Sequence, residues 1–403
     1  MQDGETARTY RNSTATTRPA FPRPRMLSYN ERLVLTLLRH DGPSAKVRIA
    51  EKTGLSAQTA SVLMRRLEED GLIERCAPVR GKVGQPSVPM QLARRGALFF
   101  GLKVGRRSAD LCLVDFLGRI IDRTRVTYHH PNPDKTLTFV RESVGTLTDR
   151  LPAEERTSIG GLGISIPGYL WEWGRQVGAP AEEMNAWRGR DFRGEVASLV
   201  DLPVLLQNDA SCACGAELIF GTGTFPPDFL YFYVGHFIGG GLVLNDSLYT
   251  GPTGNAASLG PMPVPMQDGS LRQLVEVASL FGLEADLEAT GQDPKILWES
   301  VSTWDIDEDV LAPWLVRAAN GLAYALAAAC SVVDVEVVVI DGWLPEKVRR
   351  ALIDRTRRAM EKMDWAGLVV PDLHEGTVGP DARSIGAASL PLSSGFHVAR
   401  HSA

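Results

Sequence analysis

The sequence predicts an α/β protein, a small helical module closed by two short strands, ahead of a larger body of alternating strands and helices. Three observations carry that reading. Between residues 28 and 71, three short apolar-periodic stretches are separated by Asp41-Gly42-Pro43 and by Gly54. From Ala97 onward the pattern changes to short β-type apolar runs. Polar residues suited to ligands then stand just past the ends of apolar strands, where α/β folds place their sites.

Residues 1–25 are rich in Thr, Arg and Pro and hold almost no large aliphatics. Burial cannot offset the entropy of ordering such a stretch, so a flexible basic arm is expected. Residues 26–95 form the first module. Asn30 is expected to cap a helix whose apolar face is Leu33, Val34, Leu37 and Leu38. Ser44 is expected to cap a second, Ala45–Thr53, and Ser56 a third, Ala57–Asp70, which Gly71 stops. Helix, tight glycine turn, helix is a helix-turn-helix. Strands at Leu72–Cys76 and Ser87–Leu92, joined by a loop holding Arg80 and Lys82, make a wing.

The third helix is the expected recognition helix. Ser56, Ala57, Gln58, Thr59 and Ser61 are small or polar and would let its N-terminal end enter a major groove. Gln58 can pair bidentately with adenine. Arg65, Arg66, Arg80 and Lys82 would hold phosphates and fix the register. The charge agrees. Residues 1–90 hold 15 Lys+Arg against 9 Asp+Glu, an excess of 6, so with −5 overall the remainder carries −11. A basic front on an acidic body fits a nucleic-acid module attached to something else.

The body, residues 96–403, reads as strands Leu98–Val104, Ala109–Val114 and Arg119–Thr127, a helix Lys135–Arg150, and a strand Ile159–Ile166 ending in Pro167-Gly168. A strand Pro203–Leu206 runs into Asn208-Asp209 and a helix. Val234–Pro261 combines a strand–glycine turn–strand with a second glycine-rich loop. Glycines there admit close backbone approach, and N–H groups in such a turn can hold an anion; a hairpin needing glycine only for its turn fits equally. A long helix Ala312–Val332, a strand Val335–Ile340, an Asp341-Gly342 turn, a helix Pro345–Met363 and a last helix near Ser384–Leu390 complete the chain.

Five scattered cysteines in 403 residues imply no disulfide framework and fit a reducing cytoplasm. No signal peptide and no membrane span are expected. Cys212 and Cys214 read as packed small residues of a helix, His236 as a ligand contact or an exposed ring, and no metal site or cofactor is expected.

The stretches GPSAKVRIAEKTGLSAQTASVLMRRLEEDGLIE, GKVGQPS, FFGLKVGRRSADLCLVDFLGRII, GLGISIPGY, NAW, LLQNDAS, GGGLVLNDSLYTGPTGNAASLG, VVVIDGW and IGAAS together resemble the bacterial ROK family of repressors and sugar kinases, from Asn30 to about Leu392. The resemblance implies a winged helix-turn-helix followed by a two-lobed, actin-like sugar-kinase fold. It assigns sugar contact to Gly168, Asn185, Asn208 and Ser258, and a base role in the kinases to Asp209. The departures are as informative. The acid of the first phosphate loop is Lys103, which cannot coordinate Mg²⁺. The second phosphate loop reads Gly235-His236-Phe237-Ile238-Gly239, and the Gly-Gly of the adenosine loop is Asp341-Gly342. Ser258 and Pro261 replace the family's Glu and zinc-binding His, and Val275 a third sugar-contacting Glu.

The expected protein is therefore a cytoplasmic, non-enzymatic transcriptional regulator, a repressor of carbohydrate-use genes. It would bind double-stranded operator DNA as a homodimer or dimer of dimers and take a small sugar as effector. Asp209 would be a vestigial base. The alternatives are an active ATP-dependent sugar kinase with a DNA-binding arm, and a regulator whose body binds a protein.

Overall fold

The computed structural model describes residues 26–78, 88–174 and 178–398. These fall into two compact units: the residues up to Gln207 together with those from Ser384 on, and Asn208–Arg383.

The first unit begins with α1 (Tyr29–Asp41), α2 (Lys46–Thr53) and α3 (Ala57–Glu69). Ser28, not Asn30, caps α1: its hydroxyl accepts from the Glu31 N–H, and the Glu31 carboxylate accepts from the Ser28 N–H at 2.8 Å. This reciprocal pair satisfies two end groups at once, which a lone Asn30 cannot do. Ser44 does not cap α2 either. Its backbone pairs with Met90, and α2 starts from Ala45 with no side-chain cap. Val34, Leu35, Ile49, Met64 and Leu67 close a small core. β1 (Ile73–Arg75) pairs antiparallel with β2 (Met90–Leu92). The wing loop between them, with Arg80 and Lys82, lies outside the described residues.

β3 (Leu98–Val104), β4 (Ser108–Asp115) and β5 (Ile120–Thr127) form an antiparallel meander. After α4 (Pro133–Asp149), β6 (Ile159–Ile166) joins β3 in parallel; α5 (Ala181–Asn185), α6 (Phe192–Leu199) and β7 (Val204–Asn208) follow. The sheet order is β5-β4-β3-β6-β7. The C-terminal helix Ala382–Phe396 seats against this sheet at two glycines, Gly101 and Gly163, which face each other across β3 and β6. A Cβ on them would lie 2.1 Å from the Ser384 carbonyl oxygen and 1.7 Å from that of Ala387. Only hydrogen at these positions lets the helix backbone come so close.

The far end of that helix fastens the winged module. The Phe396 ring sits 5.6 Å from Phe99 and 5.4 Å from Phe116. Arg39 of α1 lies 4.9 Å over the Phe116 ring and donates to the Phe116 carbonyl at 2.7 Å. The Val398 N–H donates to the Thr36 hydroxyl at 3.1 Å, and His397 Nδ1 lies 3.3 Å from the same oxygen. Burial holds Arg39 down to about 10, against the pull of Asp115. Burial and the Arg39 charge hold His397 at about 4, so it is neutral at pH 7.

The second unit repeats the strand plan. After α7 (Asp209–Phe220), β8 (Phe229–Val234), β9 (Gly239–Leu244) and β10 (Ser247–Tyr249) form a meander. A small ribbon, β11 (Pro263–Pro265) with β12 (Leu271–Gln273), and the helices α8 (Leu280–Thr290) and α9 (Glu308–Cys330) follow. β13 (Val337–Gly342) pairs in parallel with β8, and beyond α10 (Glu346–Met360), β14 (Asp372–Glu375) pairs with β13. The order, β10-β9-β8-β13-β14, is that of the first sheet position for position. Helix α9 is long and apolar enough to cross a membrane by composition, but 56% of its most apolar window is buried. Trp314, Leu322 and Leu326 make it the core helix of this unit.

Candidate functional site

Three surfaces carry chemistry. The first is the N-terminal end of α3. The Ser56 hydroxyl accepts from the Thr59 N–H at 3.1 Å and caps the helix, so it is tied to the backbone while its neighbours are not. Ala57, Gln58 and Thr59 are exposed, Ser61 is half-buried, and Ala60, Leu63 and Met64 point into the core. Arg65 and Arg66 are exposed, and among the described residues neither pairs with an acid. The face therefore offers an amide, hydroxyls and two cations together.

The second lies at the start of α7. Asn208 caps this helix, its Oδ1 accepting from the Ala210 N–H at 3.0 Å and the Ser211 N–H at 3.3 Å. Asp209 Oδ1 accepts from the Ala210 N–H at 3.0 Å, and its Oδ2 from Arg383 Nη1 at 3.2 Å. The Arg383 guanidinium also lies 4.8 Å over the Tyr233 ring, whose hydroxyl donates to the Pro380 carbonyl at 3.0 Å. Arg383 and Tyr233 have no signal in the local sequence around Asp209; they come from 174 residues further on and from β8.

Ser258 is exposed in the same unit, and Val275 is buried, so neither position presents a carboxylate. In the other unit, Gly168 follows β6 and precedes Tyr169, which adopts a left-handed φ of 50°. Asn185 ends α5 and is exposed, while Trp187 is buried with its Nε1 donating to the Pro131 carbonyl at 3.0 Å.

The third set comprises the positions at which the chain departs from the family's phosphate and adenosine loops. Lys103 Nζ lies 2.7 Å from Asp110 Oδ2, and Arg125 Nε 3.4 Å from Asp110 Oδ1. Burial pushes Asp110 up, but the two cations and Ser108 bring it below the usual carboxylate range. His236 is not an exposed ring. It is 8% exposed, 3.5 Å from Glu284, and packed at 4.6 Å from Phe237 and 5.5 Å from Trp298. The Ile238 N–H of that loop donates to the Ser279 hydroxyl at 2.8 Å.

Asp341 is not in a turn but near the end of β13, 0% exposed. Its carboxylate accepts from the Gly342 and Gly379 N–H groups, each at 2.8 Å, and from the Tyr231 hydroxyl at 3.2 Å, with Arg349 at 3.4 Å. Glu217 of α7 likewise accepts from the Thr377 N–H and hydroxyl and from the Val378 N–H. Burial raises both carboxyls against these bonds. The Gly342, Thr377, Val378 and Gly379 N–H groups are thus occupied by the chain's own acids. Cys212 and Cys214 are fully buried in α7, with the Cys214 Sγ against Gly241.

These features define a class: a winged DNA-binding module joined to an actin-like, sugar-kinase-type body. The chain belongs to the ROK family, whose model matches residues 99–393; a winged helix-turn-helix DNA-binding model matches residues 27–74. An uncharacterised protein of Sinorhizobium fredii is 25% identical over 378 residues, 92% of each chain. The xylose repressor of Bacillus subtilis is 22% identical over 235 residues, 58% of this chain and only 60% of the repressor. Among solved structures, a ROK transcriptional regulator homologous to the Escherichia coli Mlc protein superposes with a TM-score of 0.65 at 19% identity, covering 91% of this chain and 96% of that one. A ROK glucokinase from Streptomyces griseus, in complex with glucose and AMPPNP, gives 0.55 at 22% identity over 73% of this chain and 99% of the kinase. At such identities the structures speak for the fold alone.

Proposed function

We propose that this is a cytoplasmic DNA-binding transcriptional repressor of carbohydrate-use genes, working as a homodimer, whose kinase-like body binds a sugar without phosphorylating it. One observation carries the second half: Asp341, with no exposed surface, holds the Gly342 and Gly379 N–H groups for itself. A nucleotide entering there would have to strip a buried carboxylate of its partners and meet its negative charge. The Lys103–Asp110–Arg125 cluster supports the same reading, since it offers no free acid for a metal–phosphate group.

Gln58, with Ser56, Ala57, Thr59 and Ser61 around it, reads the major groove, while Arg65, Arg66, Arg80 and Lys82 hold phosphates. Asn208 and Asp209 bind sugar hydroxyls, with Gly168, Asn185 and Ser258 contributing. Lobe closure on the sugar would favour one spacing of the dimer's winged modules over another, in proportion to its differential affinity. The relatives named xylose repressor support this direction without fixing the sugar.

The test pairs two measurements on the full chain. A thermal-shift screen with D-xylose, D-glucose and N-acetyl-D-glucosamine is expected to find stabilisation by at least one, and coupled assays with ATP and Mg²⁺ to find no turnover of any. Turnover abolished by Asp209→Asn would overturn the non-enzymatic reading. For DNA, duplexes selected by the protein from a random library should lose affinity at one position with Gln58→Ala and uniformly with Arg65→Ala.

A further inference from the structure

The C-terminal helix Ala382–Phe396 makes a side-chain contact near each of its ends. Its second residue, Arg383, holds Asp209. Just beyond its last residue, His397 and Val398 hold Thr36 of α1, and Phe396 packs on Phe99 and on Phe116, the ring under Arg39. The first two residues belong to the unit of Asp209, and the rest to the unit that carries the winged module. Between the two contacts the helix is seated on Gly101 and Gly163, with no side-chain cushion to absorb a shift. Packed contacts of this kind pass on a displacement, since close-packed interiors compress little.

We propose that Arg383 is a further residue of the effector site, the one through which ligand binding reaches the DNA-binding module. This rests on the reading of Asn208 and Asp209 as the sugar site. The Asp209 carboxylate has two acceptor oxygens. One is shared with the Ala210 N–H and the other with Arg383. A sugar hydroxyl donating to Asp209 competes with the guanidinium for the second oxygen. Both side chains keep some exposure, 14% for Arg383 and 19% for Asp209, so water can reach the pair when it parts, while the Arg383 Nε stays buried. Tyr233 keeps the guanidinium stacked when the acid lets go, and the start of the helix is then free to move. The helix carries that freedom to Thr36, Arg39 and α1.

The experiment uses full-length wild type, Arg383→Met and Arg383→Lys. Arg383→Met keeps a chain of similar length over Tyr233 and removes the fork; Arg383→Lys keeps the charge. Hydrogen exchange without any sugar is the first arm. In Arg383→Met, amides of Tyr29–Asp41 and Val398 should exchange about tenfold faster, with the strands of both sheets unchanged, and Arg383→Lys should lie between. Unaltered exchange in α1, in a variant whose sheets remain protected, overturns the proposed role of Arg383 whether or not a sugar binds.

The second arm measures affinity for a library-selected duplex with and without the sugars of the thermal-shift screen. Wild type should change its Kd by at least about fivefold, the low end of ordinary allosteric coupling. At sugar concentrations that saturate it in the thermal-shift assay, Arg383→Met should change its Kd for DNA by less than twofold. Full response in Arg383→Met overturns the proposal. If none of the sugars stabilises wild type, the sugar reading fails, and the exchange arm still decides the role of Arg383.

Discussion

Gly163→Ala is a one-methyl change with a large expected effect. The added Cβ would sit 1.7 Å from the Ala387 carbonyl oxygen and 2.6 Å from the carbonyl carbon behind it. Real Cβ contacts are not found below about 3.0 Å, so the helix must retreat by more than an ångström. The obstacle is backbone, so no rotamer change relieves it. Overpacking of this kind costs about 1–3 kcal/mol. The upper end applies here, because retreat also loosens the contacts of Phe396 with Phe99 and Phe116. For a unit of this size about 3 kcal/mol lowers Tm by roughly 6–12 °C, which calorimetry reads directly. The clash is with a carbonyl, so adding Ala387→Gly should not restore stability. A Tm within 1 °C of wild type, or rescue by Ala387→Gly, would refute the seating of the helix on the glycine pair.

Other expectations follow from the same geometry. Gly145 lies within α4 with open space, nothing within 4 Å, where a methyl would stand, so Gly145→Ala should stabilise by about 0.5–1 kcal/mol through helix propensity, read as a raised denaturation midpoint. His397 is held at about 4 in the fold against 6.5 when free, so the unfolded chain binds the extra proton between those values. Stability is therefore complete above about pH 6.5 and falls as pH drops towards 4, by at most about 3 kcal/mol. His397→Gln should flatten that slope in denaturant titrations at pH 5 and 7; an unchanged slope would mean that His397 is not the group. Asp341→Ala leaves the Gly342 and Gly379 N–H groups and the Tyr231 hydroxyl without their acceptor, and should cost about 2–4 kcal/mol by thermal unfolding. An unaffected Tm would show that the carboxylate does not hold this corner together.

Much of the architecture is legible in the sequence because the signals are local. Ile159–Ile166 stands as a strand at the bounds its apolar run predicts, and Ser56 caps α3 as a small polar residue before an amphipathic stretch should. Even the misplaced cap of α1 has a local remedy. Ser28 and Glu31 spell a capping box, a stronger signal than Asn30 alone. Ser44 misleads because its backbone pairs with Met90, 46 residues away, and no sequence window spans that pairing. His236 misleads for a similar reason: the rings that bury it come from Phe281 and Trp298. The repeated strand order of the two sheets leaves no trace as a sequence repeat, because topology constrains where strands lie and not which apolar residues fill them. Arg383 belongs to this second kind, a partner supplied by the far end of the chain.

Two aspartates bear on the proposal that this kinase-like body takes a sugar and not a nucleotide. Asp341 has four donors and no exposed surface, so any ligand reaching for its neighbours must first break a closed network. Buried groups left without partners are costly, and this one would be a charge. Asp209 has a single N–H and a single guanidinium and is 19% exposed. A hydroxyl can replace the guanidinium there bond for bond, and water can cover what is displaced. The first arrangement is a lock and the second an equilibrium. Only an equilibrium can be biased by a small polyol at ordinary concentration, since a ligand shifts two states by no more than its difference in affinity for them. A regulator needs that kind of site, and Asp209, not Asp341, has its chemistry.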